Sequence, residues 1–195
     1  MTVAGLVLAA GGATRFGSPK ALATYRGKPL VTRAVRQLVP RCPAGVYVVV
    51  GAHGSELHAA LADEPTVTVV DNPDWQRGLS TSLRAGIAAM PEAADAVLLT
   101  LCDLPVVTGE DLDALIGAWR VEPVLIAIAS FAGGRGPPAI FPRAVWPQFA
   151  ALRGDQGARS LLEWHEEHIL VPMPNAALDV DTPDDLARLE ARPAQ

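Results

Sequence analysis

Three features that would assign this chain to a common class of protein are missing from it. No apolar run approaches the roughly 20 residues that cross a bilayer, so we expect no membrane partner. Only two cysteines occur, Cys42 and Cys102; without Cys-x-x-Cys spacing they favour reduced thiols in the cytoplasm over a disulfide or zinc framework. Sixteen Lys and Arg against 21 Asp and Glu give a net charge of −5 without a basic block, so no nucleic acid partner is expected.

Apolar sequence, in contrast, is abundant, since half of the 195 residues are hydrophobic. Five runs rich in β-branched residues alternate with helix-like stretches, which is typical of parallel strands buried between helices. The pattern predicts one α/β domain over residues 1–192, with a doubly wound, mostly parallel sheet, and a tail over 193–195. The predicted strands are Leu6–Ala10, Val46–Val50, Val67–Val70, Ala96–Leu101 and Val124–Ala129.

Helix-like stretches fill the segments between these strands, and the last third of the chain is less regular. The predicted helices are Leu30–Val39, Ser55–Leu61, Ser80–Met90 and Asp111–Trp119, with Thr108 as a cap. In the last third we predict a loop over Phe131–Pro138, helices over Trp146–Leu152 and Ala158–His168, and a short strand over Leu178–Val180. His165 and His168 would then lie on a solvated helix face. Thr182 and Pro183 predict the start of a last helix.

The first predicted strand ends in a glycine-rich loop that carries two cations. Gly11 and Gly12 are adjacent, and Arg15 and Lys20 follow five residues apart. Backbone N–H groups at a strand end, together with fixed positive charges, suit an anion such as a nucleotide phosphate. A plain strand-to-helix turn would need the glycines but not the cations. Neither Gly-Lys-Ser/Thr nor Gly-x-Gly-x-x-Gly occurs here, so we expect neither P-loop hydrolysis nor hydride transfer.

Carboxylates follow two other predicted strands. Asp103 ends an apolar strand, while Asp179 and Asp181 end a later one and, two residues apart, would point to the same side of an extended chain. Ligands bind at the carboxyl edge of open α/β sheets, and oxygen ligands beside a phosphate loop suit Mg²⁺. A single carboxylate could equally be a turn or cap residue. Together with Arg15 and Lys20, these carboxylates predict a magnesium site.

The segment from Asn72 to Leu83 combines Gly78 with a run of hydroxyl side chains at the start of a helix. The hydroxyls can act as helix caps, or they can bind the edge of a base or a phosphate, and both interpretations stay open. Trp75 is the one tryptophan that lies inside such a polar segment, so we suspect a functional role for it. The hydroxyl residues are Ser80, Thr81 and Ser82.

These segments resemble, in chain order, the motifs of the nucleoside-triphosphate transferase superfamily, and most closely those of its molybdenum cofactor cytidylyltransferase group. The resemblance implies a Rossmann-like nucleotidyltransferase fold. It also implies transfer of CMP from CTP to the terminal phosphate of molybdopterin, with release of pyrophosphate. The matching segments are Leu8–Lys20, Asn72–Leu83, Cys102–Pro105, Gly133–Phe141, Leu152–Leu162 and Asp179–Leu186.

The resemblance also implies a role for individual residues. Arg15, Lys20 and Asp103 form the catalytic set, in which the two cations bind the triphosphate and stabilise the departing pyrophosphate. The implied metal is Mg²⁺, held by Asp103 with Asp179 or Asp181. The implied nucleotide-binding residues are Ala9, Ala10, Gly11, Gly12, Arg15, Lys20, Asn72, Gly78, Ser80, Ser82 and Asp103, and the implied acceptor-binding residues are Arg135, Asp155 and Arg159.

Substrate identity depends on smaller details of the same motifs. The resemblance favours CTP over GTP, because relatives that use CTP tend to carry Leu-Ala-Ala-Gly, as this chain does at Leu8–Gly11, where guanylyl relatives tend to carry Leu-Ala-Gly-Gly. The methyl group of Ala10 would narrow the base pocket. Cys102 stands where the family usually has glycine, and Pro137 stands where a polar residue is common in the acceptor loop. The alternatives are therefore GTP or another phosphorylated acceptor, and, in a different class, a non-catalytic carrier of molybdopterin. A recipient molybdoenzyme or its chaperone is a further possible partner.

Overall fold

A computed structural model describes residues 1–12 and 16–192 of the chain. Arg15 and the predicted tail over 193–195 lie outside the described residues. None of the described helices has the length and apolar character needed to cross a bilayer.

Nine strands are described, in two sheets. They are β1 (Val3–Ala9), β2 (Thr24–Tyr25), β3 (Lys28–Pro29), β4 (Val46–Val50), β5 (Val67–Asp71), β6 (Ala96–Leu101), β7 (Ile126–Phe131), β8 (Gly134–Pro142) and β9 (His168–Pro172). The main sheet has the order β5-β4-β1-β6-β8-β7-β9, and β2 pairs only with β3. Every pair in the main sheet is parallel except those of β8, which runs antiparallel to β6 and β7. The mostly parallel sheet is thereby confirmed.

Five α-helices and several 3₁₀-helices connect these strands. The α-helices are α1 (Leu30–Leu38), α2 (Gly54–Ala60), α3 (Leu79–Ala88), α4 (Gly109–Val121) and α5 (Pro183–Glu190). The 3₁₀-helices are Lys20–Leu22, Trp75–Arg77, Arg143–Ala151, Ala158–Trp164 and Pro174–Ala177. Thr108 and Thr182 each begin an α-helix with a capping box, in which the hydroxyl accepts from the third helical amide and an aspartate accepts from the threonine amide.

The core forms a layer on each face of the sheet, which explains why the strands are apolar on both sides. Val7 packs into the layer that holds α1, α2 and α4. Leu6 and Leu8 point the other way, into the layer formed by α3 and the two 3₁₀-helices between β8 and β9. Because successive strand residues alternate between faces, a strand covered on both sides has to be apolar throughout. The doubly wound architecture follows from this pattern.

The predicted loop over Phe131–Pro138 is wrong, because most of this segment belongs to a hairpin. Strands β7 and β8 are joined by a two-residue turn that includes Gly133 with φ +95°. Pro137 and Pro138 fall where the pairing of β8 with β7 shifts register, between the pairs Ala129–Gly136 and Ile128–Ala139. A bulge leaves such positions outside the hydrogen-bond ladder, so residues without an N–H group are tolerated there.

Two further predictions in the last third are wrong. The helix predicted over Ala158–His168 ends as a 3₁₀-helix at Trp164, and His168 begins β9 instead. Ile169 and Val171 pack into the core while Leu170 is 51% exposed, which is the two-residue period of an edge strand. The strand predicted over Leu178–Val180 does not form.

The remaining predicted elements form with small shifts at their ends. The predicted helix over Trp146–Leu152 is a 3₁₀-helix over Arg143–Ala151. The strand predicted over Val124–Ala129 begins two residues later, at Ile126.

Candidate active site

A cavity of about 440 Å³ opens at the carboxyl ends of β1 and β6. Its walls come from the segments after β1, β5 and β6, and from Asp155 and Asp181. In an open α/β sheet the helix crossovers leave this edge free of covering structure, so it is the usual place for a ligand. Most of the residues that the sequence singled out meet here: Ala9, Ala10, Gly11, Gly12, Lys20, Gly78, Ser82, Asp103, Asp155 and Asp181.

Lys20 joins two of the predicted carboxylates. Its Nζ donates to Asp103 Oδ2 at 2.6 Å and to Asp181 Oδ1 at 3.1 Å. Burial by itself would lower the pKa of Lys20, but the carboxylate of Asp103 and the two hydrogen bonds raise that pKa above its ordinary value. Lys20 is therefore a fixed cation in the wall of the cavity.

Asp103 is the most buried acidic group of the site. Its Oδ1 is buried and has no hydrogen-bond partner within residues 1–12 and 16–192. Burial raises the pKa of this carboxyl, the Lys20 ammonium opposes the rise, and Asp179 and Asp181 add to it. A buried carboxylate oxygen without a partner is costly unless a cation or a ligand satisfies it.

The segment that carries Asp179 and Asp181 is held against the end of β6 without forming a strand. Val180 N donates to the backbone oxygen of Asp103 at 2.9 Å. This hydrogen bond brings the two flanking aspartates to Asp103, as the sequence predicted, although only Asp181 lines the cavity. Asp179 is exposed. Among the described residues, no three His, Cys, Asp or Glu side chains form a group that could hold a metal by itself.

Asn72 organises the loop between β5 and α3. Its Nδ2 donates to Thr81 Oγ1 at 2.9 Å and to Ser82 Oγ at 3.0 Å, and all three side chains are buried. Thr81 Oγ1 in turn donates to the backbone oxygen of Gly78 at 2.8 Å. Gly78 is the N-cap of α3, so none of the hydroxyls caps this helix. Asn72 lies behind the cavity wall and fixes Ser82, which lines the cavity.

Gly78 brings the loop of residues 153–157 close to the start of α3. A Cβ on Gly78 would overlap the backbone carbonyl of Gly154 and lie 2.8 Å from Asp155 Oδ1, and the φ of Gly78 is +104°. The amide of Ser80 donates to the oxygen of Gly154 at 2.9 Å. Only glycine allows this approach, which puts Asp155 in the cavity wall. Ser80 itself is buried away from the cavity.

Sequence reasoning missed Gly51, which follows β4. A Cβ on Gly51 would lie 2.7 Å from the oxygen of Ala10 and 2.7 Å from the Cβ of Trp75. A glycine directly after an apolar strand was the available signal, because it marks the same sheet edge as Gly11 and Gly12. Gly51 does not itself line the cavity, whereas Phe16, Gln76 and Leu79 do and were also not predicted as site residues.

The predicted acceptor residues are split between the cavity and the surface beyond it. Asp155 lines the cavity, whereas Arg135 and Arg159 do not. Arg135 Nη1 lies 2.6 Å from Nε2 of His168, the first residue of β9, and so donates to a neutral imidazole. Burial lowers the pKa of His168, and the charge of Arg135 lowers it further. The solvated helix face predicted for His168 is therefore wrong, because its ring packs against Arg135.

The chain is similar to known proteins over most of its length. A profile described as "MobA-like NTP transferase domain" matches residues 5–169. The chain is 32% identical to nicotine blue oxidoreductase of Paenarthrobacter nicotinovorans, over 96% of both chains. It is 26% identical to the molybdenum cofactor cytidylyltransferase of Escherichia coli K12, over 96% of this chain and 95% of that one.

A solved structure is similar over nearly the whole chain. The crystal structure of Rv0371c from Mycobacterium tuberculosis H37Rv has a TM-score of 0.82 and 29% identity, covering 98% of this chain and 100% of that one. The same protein in complex with manganese has a TM-score of 0.78 and 29% identity, covering 97% and 98%.

Proposed function

This chain belongs to the MobA-like NTP transferase family, and we propose that it transfers CMP from CTP to the terminal phosphate of a molybdopterin-type acceptor, releasing pyrophosphate. One observation carries the proposal. The Nζ of Lys20 lies 2.6 Å from Asp103 and 3.1 Å from Asp181 in the wall of a cavity at the carboxyl edge of the sheet. A cation beside two carboxylates is the combination that a triphosphate with a bound divalent metal needs.

The proposed reaction requires little covalent chemistry from the protein. An oxygen of the acceptor phosphate attacks the α-phosphorus of CTP, and the bond from that phosphorus to the oxygen bridging to the β-phosphate breaks, so that pyrophosphate leaves. The nucleophile is already an anion, so positioning and charge stabilisation suffice. Lys20 stabilises the charge that develops on the leaving pyrophosphate. Arg15 has the same proposed role and lies outside the described residues.

Asp103 and Asp181 fit a Mg²⁺ ion. Asp103 Oδ1 is buried and has no hydrogen-bond partner within the described parts of the chain, and carboxylate oxygens are the ligands that Mg²⁺ prefers. Mg²⁺ is held in such sites by one or two carboxylates together with substrate phosphates, so the lack of a third acidic ligand is no obstacle. When bound, the ion would neutralise charge on the phosphates. Rv0371c, solved with manganese, supports a divalent metal.

The base and the acceptor are assigned to different walls of the cavity. Ala10, Gly78 and Ser82 are the proposed contacts of the cytosine, and the methyl group of Ala10 narrows the space for a larger base. Asp155 lines the same cavity and is the proposed contact of the acceptor nearest to the reacting groups. Arg135 and Arg159 would contact the acceptor farther out.

A second candidate is a redox reaction, which the 32% identity to nicotine blue oxidoreductase favours. The residues around the cavity support it less well. The adjacent glycines Gly11 and Gly12 do not form the dinucleotide fingerprint, and hydride transfer has no need of Lys20 between two carboxylates.

Pyrophosphate release distinguishes these candidates. Each nucleoside triphosphate is incubated with Mg²⁺, molybdopterin and one of three proteins: the wild type, Asp103→Asn or the control Asp63→Asn. The control changes an exposed aspartate outside the cavity wall. We expect release with CTP, a loss of about 10²-fold or more in Asp103→Asn, and no loss in the control.

The other outcomes are equally specific. Release with GTP alone would overturn the cytidine assignment, and full activity of Asp103→Asn would overturn the site. If no triphosphate gives pyrophosphate, the remaining candidate is a non-catalytic carrier of molybdopterin. If a reduced nicotinamide cofactor is consumed instead, the redox candidate is supported.

A further inference from the structure

Trp75 lies between two glycine-containing loops that reach the cavity from neighbouring strands. A Cβ on Gly12 would be 3.1 Å from Cζ3 of the indole and 3.4 Å from Cη2. A Cβ on Gly51 would be 2.7 Å from the Cβ of Trp75 and 2.8 Å from its Cγ. The far edge of the indole therefore faces the loop after β1, and the Cβ and Cγ atoms of Trp75 face the loop after β4.

Neither loop has a side chain of its own at the point where it meets Trp75. The oxygen of Ala10 would be 2.7 Å from a Cβ on Gly51, and it accepts a hydrogen bond from Ala52 N at 3.4 Å. Glycines leave a backbone free to adopt many conformations, so a loop such as Gly11–Gly12 binds phosphate well only when something restricts it. A rigid indole restricts it sterically.

The backbone that carries Trp75 is held independently of the loop that the indole touches. Asp74 N donates to Asn72 Oδ1 at 3.1 Å, and Thr81 Oγ1 lies 3.1 Å from the oxygen of Asp74. On the other side of the tryptophan, Gly78 N donates to the oxygen of Trp75 at 3.2 Å. Trp75 is thus fixed by the buried Asn72 network, and the glycine loop packs against it.

We propose that Trp75 is a positioning residue that holds the Gly11–Gly12 loop in the conformation that binds the triphosphate, so that loss of the indole weakens binding of phosphates rather than of the base. The inference rests on the proposed function, since it takes the loop to be the triphosphate site. Trp75 also lines the cavity, which makes direct contact with the base the competing role.

The two roles differ in what they do to CTP and CMP. The dissociation constants of both ligands are measured by calorimetry for the wild type, Trp75→Ala, Trp75→Phe and the control Trp164→Ala, with GTP and GMP in parallel. Trp164 is 49% exposed and does not line the cavity. We expect Trp75→Ala to weaken CTP roughly tenfold and CMP by less than about twofold, Trp75→Phe to restore most of the CTP affinity, and the control to change neither.

Equal losses for CTP and CMP would overturn the proposal in favour of base contact, and no loss for either would exclude any role in nucleotide binding. A wild-type chain that binds no nucleotide would overturn both this inference and the proposed function. If the Trp75 variants show the expected pattern for CTP and CMP but the wild type never releases pyrophosphate, the proposed function alone would be overturned.

A double-mutant cycle that combines a Trp75 variant with Gly12→Ala tests the same contact in a second way. If Trp75→Ala does not fold, Trp75→Leu or Trp75→Phe takes its place in the cycle. The added methyl of Gly12→Ala presses on the indole in the wild type and gains space when the indole is shortened. We expect Gly12→Ala to weaken CTP at least about threefold less in the Trp75 variant than in the wild type. Additive losses would mean that the indole and the loop are not coupled.

Discussion

The two sides of the cavity, the proposed nucleotide side and the proposed acceptor side, are built differently. On the nucleotide side, Asn72 and Ser82 are buried and joined by a hydrogen bond of 3.0 Å, and rigid strands precede each loop. On the proposed acceptor side, Asp155 and Arg159 are exposed, and the loop of residues 153–157 is attached to α3 through the amide of Ser80 and the oxygen of Gly154. Buried polar networks keep one geometry, whereas exposed loops adapt and change residues at little cost to the fold.

Because of this difference, we expect selectivity for the nucleotide to be fixed by the fold and selectivity for the acceptor to vary. The groups proposed to meet the base and the phosphates are placed by the core of the sheet, so changing them disturbs the fold. The groups proposed to meet the acceptor lie on surface segments, so the acceptor can differ while the nucleotide side stays the same. Three predictions test this contrast.

Gly78→Ala should have the largest effect because Gly78 joins the two sides. The added Cβ would overlap the carbonyl of Gly154, and alanine is strained at φ +104°. We expect a loss of about 2 kcal/mol in the free energy of unfolding. We also expect the KM for the acceptor to rise more than the KM for CTP. Chemical denaturation and steady-state kinetics measure these effects.

Gly117→Ala is the matched control for this substitution. Gly117 lies exposed in α4 with nothing within 4 Å of an added Cβ, so alanine should stabilise the chain by up to about 1 kcal/mol without changing either KM. If Gly78→Ala raised the KM for CTP and the acceptor equally, the two sides would behave as one unit and the contrast would fail.

Lys20→Gln should change metal binding within the nucleotide side. In the structure Lys20 contacts both Asp103 and Asp181, so its ammonium competes with a divalent cation for the same two carboxylates. Without nucleotide, we expect Mn²⁺ to bind Lys20→Gln about tenfold more tightly than wild type, a difference of ~1.4 kcal/mol. Electron paramagnetic resonance titration measures free Mn²⁺.

The control is Lys28→Gln, which removes the other lysine of the chain, an exposed residue in β3. It should bind Mn²⁺ as the wild type does. Weaker binding in Lys20→Gln would show that the lysine orders the two carboxylates and does not compete for them.

His168→Gln should have the smallest effect, on the acceptor side. Because burial and Arg135 lower the pKa of His168, the folded state holds that proton less tightly than the unfolded state. Stability is therefore full above the ordinary histidine pKa of about 6.5 and falls as the pH drops from there toward the lower folded pKa. The variant should lose less stability over this range.

Urea denaturation at about pH 7.5 and about pH 5.5 brackets the ordinary histidine pKa and measures the difference. The control His58→Gln removes an exposed histidine on α2 and should not reduce the loss. If His168→Gln lost as much stability between the two pH values as the wild type does, the contact with Arg135 would not perturb the imidazole.

Local sequence was enough to predict that most of the residues on the proposed nucleotide side would meet at one cavity. Asp103 follows an apolar strand and Gly11–Gly12 follow another, and parallel strands end at the same edge, so their meeting could be inferred. The same local reasoning failed at Pro137 and Pro138, which look like loop residues yet lie at a bulge inside β8. It failed at His168 because a neighbouring strand, not the adjacent glutamates, determines the conformation there.

The chemical groups that this chain carries, and the strand ends that they follow, can be read from local sequence, since apolar runs, glycines and capping threonines act over a few residues. Which of these groups meet depends on how the distant parts of the chain pack together. Lys20 and Asp181 are 161 positions apart, yet they share a hydrogen bond because Val180 binds to the chain just beyond β6. Arg135 meets His168 instead of the cavity because their strands, β8 and β9, both pair with β7. Such contacts depend on register and crossover, which no local pattern encodes.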